Sequence, residues 1–110
     1  MGLSVGIITF NEEKRLERTL ESVKSFADEV IIVDSGSTDK THEIAQKFSA
    51  NFFVESWKGY GLQKNSVIDK CKEDWILLID ADEVISPELK NKIIEIVNQS
   101  KDDVYEVNFT

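Results

Sequence analysis

Asp80, Asp82 and Glu83 place three carboxylates within four residues, directly behind the apolar run Trp75-Ile76-Leu77-Leu78-Ile79. Like charges this close repel and raise one another's pKa unless a cation offsets them. An Asp-x-Asp pair suits a hard divalent ion, Mg²⁺ or Mn²⁺, which prefers oxygen ligands and often shares them with substrate phosphates. The plain alternative is an acidic, solvated loop ahead of the helix that starts at Ser86-Pro87. Asp34 weighs against that alternative. It follows another apolar run, Val30 to Val33, while helix capping is already supplied by Ser37, Thr38 and Asp39. A third apolar run, Leu3 to Thr9, ends in Phe10-Asn11-Glu12. Polar residues thus stand at the ends of three strand-like runs.

Other chemistries find little support. Neither a phosphate-binding P-loop nor the dinucleotide fingerprint follows the first run. His42 is the only histidine and falls in a helical stretch, as a surface or helix-packing residue. Cys71, the only cysteine, falls on an apolar stripe and reads as a small buried hydrophobe.

The elements that must position these residues follow from hydrophobic periodicity. Leu3–Thr9 predicts strand one. Residues 12–25 switch to helical spacing, with Leu16, Leu20 and Val23 inward and Arg15, Glu17, Arg18 and Glu21 outward. Glu29–Val33 is strand two. The turn Ser35-Gly36-Ser37-Thr38-Asp39 leads into a helix with Ile44, Ala45 and Phe48 inward. Asn51–Glu55 is strand three, and Gly59-Tyr60-Gly61 precedes a helix carrying Leu62, Val67, Ile68 and Cys71. Trp75–Ile79 is strand four. Ser86 caps a helix with Pro87 at its first position and Leu89, Ile93, Ile96 and Val97 inward. Val104–Phe109 alternates as a fifth strand. This order predicts an α/β fold with an open, mainly parallel sheet and helices on both faces, every apolar stripe being used to cover that sheet. Ligands of such sheets bind beyond the carboxyl ends of the strands.

The chain has 110 residues, room for a single domain. With 41% hydrophobic and 31% charged residues, one Pro and five Gly, it reads as globular rather than low-complexity. Thirteen Lys and Arg against 21 Asp and Glu give a net charge of -8, which argues against nucleic acid as a partner. One cysteine allows no internal disulfide, and with no secretory signal the cytoplasm is the default compartment.

Three stretches, Val5-Gly6-Ile7-Ile8-Thr9-Phe10-Asn11-Glu12-Glu13, Val33-Asp34-Ser35-Gly36-Ser37-Thr38-Asp39-Lys40-Thr41 and Asp80-Ala81-Asp82, resemble the N-terminal, donor-binding half of family 2 glycosyltransferases. Trp57-Lys58-Gly59-Tyr60-Gly61-Leu62-Gln63-Lys64-Asn65, together with Asp80-Ala81-Asp82-Glu83, is similar to the bacterial branch that adds glucose or a similar sugar to the lipopolysaccharide core. The resemblance implies the GT-A fold and a sugar nucleotide, expected to be a UDP-hexose, as donor. It implies that Thr9, Asn11 and Glu12 shape the nucleotide pocket, that Asp34 accepts a hydrogen bond from the base, and that Lys64 lies near the diphosphate. Asp80 would lie near the ribose and the metal, and Asp82 would ligate a Mg²⁺ or Mn²⁺ ion bridging the diphosphate. The implied reaction is hexose transfer, inverting, to a glycan or lipopolysaccharide-type acceptor.

Such an inverting enzyme needs a carboxylate base beside the acceptor hydroxyl, and none is expected in these 110 residues. The chain is therefore expected to be the donor-binding fragment of a longer enzyme, inactive in transfer by itself. A glycolipid acceptor would suit peripheral attachment of the full-length protein at the inner face of the cell membrane. A sheet edge left bare near residues 104–109 would suit a homodimer. Two other readings compete. One is a module that binds a nucleotide sugar without turnover. The other is a receiver-like domain, which lacks the paired acids expected after strand one.

Overall fold

In a computed structural model, which describes residues 2–99, strands and helices alternate without exception. They are β1 (Leu3–Thr9), α1 (Leu16–Val23), β2 (Glu29–Asp34), α2 (Thr41–Lys47), β3 (Asn51–Val54), α3 (Tyr60–Lys70), β4 (Trp75–Asp80) and α4 (Pro87–Gln99). The fifth strand expected at 104–109 lies outside the described residues, as does the edge on which a homodimer was argued.

The strands form one parallel sheet in the order β3-β2-β1-β4. The chain steps outward from β1 to β3 and then returns to the far side of β1. Parallel crossovers are right-handed, so the reversal carries α3 to the opposite face from α1 and α2. Accordingly α1, α2 and α4 cover one face, packing Leu16, Leu20, Val23, Ala45, Ile93 and Val97 against Val5, Ile7, Ile32, Leu77 and Ile79. On the other face Val67 of α3 packs with Ile31 and Val33. β1 is central and buried along almost its whole length. Helices on both faces and an open parallel sheet are as the periodicity predicts.

α1 begins at Leu16 rather than near residue 12, because Asn11 takes a left-handed φ of 52° and residues 12–15 form a turn. The amides of Arg15 and Leu16 both donate to the carbonyl of Glu12, at 3.0 and 2.9 Å. β3 is an edge strand with Phe53 and Val54 exposed. On α3 the residues turned inward are Gln63 and Val67, while Leu62 is 60% exposed and Ile68 38%. The apolar side chains are thus not all used in covering the sheet, which corrects that expectation.

The face of α3 is set by a close approach to β1. A Cβ on Gly6 would lie 2.4 Å from Val67 Cγ1 and 2.9 Å from Leu78 Cδ2. Only a residue without a side chain lets α3 settle at that depth. Gly6→Ala is expected to force α3 outward and destabilise the chain by about 1–3 kcal/mol, the usual range for overpacking. Urea unfolding of the two proteins measures it, and an unchanged midpoint would show that Val67 yields freely.

Candidate functional site

Parallel pairing brings three strand ends to one level. In the β1–β2 register Thr9 lies opposite Asp34, and in the β1–β4 register Ile8 lies opposite Asp80. A cleft of about 750 Å³ opens at this edge. Its floor is Ile8, Thr9, Ser35 and Ala81. Glu12, Arg15, Asp80 and Asp82 supply the charges, and Phe10, Trp57 and Tyr60 supply aromatic walls. The volume falls within the range common for small-molecule sites.

Asp34 is 1% exposed and forms the centre of the loops beneath the cleft. Its Oδ1 accepts from Thr9 Oγ1 at 2.6 Å and from Ser37 Oγ at 2.5 Å. Its Oδ2 accepts from the amides of Gly36 at 2.8 Å and Ser37 at 2.6 Å. A carboxylate offers about four acceptor directions, and all are engaged here. Gly36, at a φ of 104°, makes the turn that folds these amides back. The network continues outward. Ser37 Oγ accepts from the amide of Asn11 at 2.7 Å, and Asn11 Oδ1 accepts from the amide of Thr38 at 2.8 Å. The amide of Glu12 donates to Thr41 Oγ1 at 2.9 Å. Asp39 Oδ1 accepts from the amide and hydroxyl of Thr41, the first residue of α2, while the cap position itself is taken by Lys40 with no side-chain cap bond. Asn11 and Asp34 therefore join the β1–α1 and β2–α2 loops, and neither lines the cleft itself. The residue that follows Asp34 and lines the cleft is Ser35. Among the described residues, Ser35 Oγ is the buried side-chain polar atom without a hydrogen-bond partner.

The acidic loop after β4 is held from α1. Buried Thr19 donates through Oγ1 to the carbonyl of Ala81 at 2.7 Å, between the two aspartates. Ser22 Oγ accepts from the amide of Ile85 at 3.0 Å. Glu83 Oε1 accepts from the amide of Asp80 at 2.8 Å. Burial raises the Glu83 pKa above the ordinary value, and the charges of Asp80 and Asp82 add to the rise. Asp80 and Asp82 themselves stand exposed in the cleft.

Among the described residues, no three His, Cys, Asp or Glu side chains converge as a metal cage. The donor set here is the pair Asp80 and Asp82. Two carboxylates on an open cleft suit a Mg²⁺- or Mn²⁺-type ion that completes its shell with water and phosphate oxygens. They do not suit a fully protein-enclosed ion.

Of the residues singled out in the sequence, Thr9, Glu12, Asp80 and Asp82 meet in the cleft. Lys64 is exposed outside it, with Nζ 5.8 Å from the ring centre of Tyr60. Sequence reasoning passed over Arg15, Ser35, Trp57 and Tyr60. Arg15 was read as an outer helix residue, yet it precedes α1 and lines the cleft, with Nη2 3.3 Å from Glu12 Oε1. Its place between the end of β1 and the first inward leucine was a usable signal. So were two aromatics flanking Gly59 in the connection after β3. Trp57 and Tyr60 meet edge to face at 5.2 Å and remain 52% and 66% exposed.

The connection that carries Trp57 is tied down by Glu55, whose carboxylate meets Lys58 Nζ at 2.6 Å and Lys70 Nζ at 2.5 Å. These bonds, Lys58 first, lower the Glu55 pKa to about 2.

Residues 4–109 match the model of glycosyl transferase family 2. The chain is 50% identical over 103 residues to an uncharacterised glycosyltransferase of Rickettsia bellii, covering 94% of this chain and 35% of that protein. It is 37% identical over 107 residues to the lipopolysaccharide core biosynthesis glycosyltransferase LpsC of Rhizobium meliloti, covering 93% of this chain and 39% of that one. Among solved structures it resembles residues 1–349 of Staphylococcus aureus TarS in complex with UDP. The TM-score is 0.69 at 27% identity, covering 89% of this chain and 32% of that one. The chain thus spans roughly a third of the length of the relatives it matches.

Asp34→Asn is expected to destabilise the chain by about 2–3 kcal/mol, because an amide turns one NH₂ toward donors that a carboxylate oxygen now accepts. Calorimetric unfolding reads it, and equal melting temperatures would remove Asp34 from its organising role. Glu55 makes stability depend on pH in the acid range. Its folded pKa, about 2, lies below its ordinary 4.5, so its stabilisation is fully present above pH 4.5 and is lost as pH falls toward 2. The stability difference between the native chain and Glu55→Gln, on the order of 1 kcal/mol for partly exposed pairs, should therefore shrink across that window. A difference that stayed constant down to pH 2 would contradict the assignment.

Proposed function

The chain belongs to glycosyl transferase family 2, and from that premise we propose that it is the donor-binding part of a glycosyltransferase, holding UDP-hexose in the cleft above β1 and β4. The observation that carries the reading is the pairing, in one cleft, of the Asp80–Asp82 carboxylates with an unpartnered buried hydroxyl on Ser35. The charge balance supports it. Glu12, Asp80 and Asp82 against Arg15 leave the cleft acidic, so a diphosphate would be repelled unless a cation accompanied it.

Asp80 and Asp82 would hold that Mg²⁺ or Mn²⁺ ion. When bound, it would offset negative charge on the departing nucleoside diphosphate. The remaining roles fall to the chain's own side chains. Thr9 and Glu12 shape the pocket floor and side, with Asn11 fixing the loop between them and α2. Asp34 serves the base indirectly, through the turn that presents Ser35. The Ser35 hydroxyl can accept or donate toward a base edge. Arg15 lies where it can meet the diphosphate, and Lys64 adds positive charge at the rim behind Tyr60. Similarity to UDP-bound TarS supports UDP as the nucleotide, and similarity to LpsC supports a lipopolysaccharide-type or related glycan acceptor. The carboxylate base of an inverting transfer would lie outside these residues, since every carboxylate in the cleft is on the donor side. Among the described residues no helix is long and apolar enough to cross a membrane. A cytoplasmic enzyme meeting a glycolipid at the membrane surface remains our reading for the full-length protein.

Titration calorimetry with UDP tests the proposal. Binding is expected with Mn²⁺ present and is expected to weaken at least about tenfold with a chelator or in Asp82→Asn, the loss of one charge-assisted interaction. Thermal stability without metal should stay level or rise in Asp82→Asn, as repulsion with Asp80 is relieved. Equal affinity in the chelator would remove the metal from the reading, and no UDP binding at all would remove the nucleotide.

A further inference from the structure

Gln63 is wholly buried on α3, on the face where Val67 meets Ile31 and Val33. An amide so placed is costly unless both ends are bonded. Both are. Nε2 donates to the carbonyl of Glu55 at 3.2 Å, and Oε1 accepts from the amide of Lys58 at 3.2 Å. The side chain thus bridges two backbone groups three residues apart, as a neighbouring strand would. Between those two anchors lies Trp57, the aromatic wall of the cleft, with its edge against Tyr60. Tyr60 opens α3 after Gly59, whose φ of 97° makes the turn, and the amide of Gln63 donates to the carbonyl of Gly59 at 3.0 Å. One buried residue therefore holds the connection at Glu55, Lys58 and Gly59. Trp57 and Tyr60, both more than half exposed, have little packing of their own to fix them.

We propose that Gln63 is a positioning residue for donor binding: its amide clamps residues 55–58 and so holds Trp57, and through it Tyr60, at the cleft. The proposal rests on the reading that the cleft takes a nucleoside diphosphate. It differs from a merely structural role in one respect. If Gln63 acts through Trp57, its removal should matter to the ligand only while Trp57 is present.

The test uses the chain itself and four proteins: unaltered, Gln63→Met, Trp57→Ala and the double variant. Two measurements need no ligand. Exchange of the Lys58 amide hydrogen should quicken about tenfold in Gln63→Met, the loss of one part-buried hydrogen bond. Acrylamide quenching should rise, and it reports Trp57 because the other tryptophan, Trp75, is buried. UDP affinity in Mn²⁺ should fall about tenfold in Gln63→Met yet change less than about twofold when the same substitution is made in Trp57→Ala. Unaltered exchange and quenching would overturn the clamp. A full further loss on top of Trp57→Ala would overturn its action through Trp57. Should Gln63→Met not fold, Gln63→Asn, one methylene too short to reach both anchors, takes its place with the same expectations. Absence of UDP binding by the unaltered chain would defeat the donor role together with the functional reading, while exchange and quenching would still decide the clamp.

Discussion

A buried carboxylate that accepts four hydrogen bonds is the constraint on which the cleft depends. Asp34 sits at the end of β2, 1% exposed, where an ionised group is tolerable only if its acceptor directions are filled. The Thr9 hydroxyl, the Ser37 hydroxyl and the Gly36 and Ser37 amides fill them. Each of those donors comes from a strand end or a loop that must therefore stay in place. The carboxylate cannot relax without leaving several buried groups unpaired, so the β1–α1 and β2–α2 loops are fixed together. Ser35, Glu12 and Arg15 reach the cleft from these fixed loops.

The same device recurs around the cleft with neutral groups. Thr19 bonds the Ala81 carbonyl from α1, and Gln63 bonds the Glu55 carbonyl and Lys58 amide from α3. Each is wholly buried on a helix face that otherwise packs on the sheet. A loop at the end of a parallel strand has no neighbouring strand to satisfy its backbone, and these side chains supply that partner. Rigid helices thereby position loops that carry the exposed aspartates and aromatics. Surface ion pairs such as Lys24–Glu21 and Lys47–Glu17 contribute little by comparison, being largely solvent-screened.

Legibility followed burial. The apolar runs of β1, β2 and β4 and the inward stripes of α1 and α4 were readable because period and burial coincide there. α3 was misread at Leu62 and Ile68. Val67 settles over Gly6, and the inward amide of Gln63 bonds the Glu55 carbonyl and Lys58 amide, partners that local periodicity does not reveal. The edge position of β3 follows from the strand order, which short-range pattern does not contain.

By itself the sequence determined the α/β alternation, the acidic pair at the end of β4 and the presence of polar residues at three strand ends. These depend on residues close together in the chain, where hydrophobic period, turn residues and charge spacing act directly. Only the tertiary structure decided which polar residues line the cleft and which hold the loops. Asp34, buried, and Asn11, at the surface, bond neighbouring loops, while Arg15, Ser35, Trp57 and Tyr60 line the cleft. The physical reason is that an acceptor direction is used once. Which donor claims it depends on parallel register and crossover handedness, which bring residues about 25 positions apart into contact.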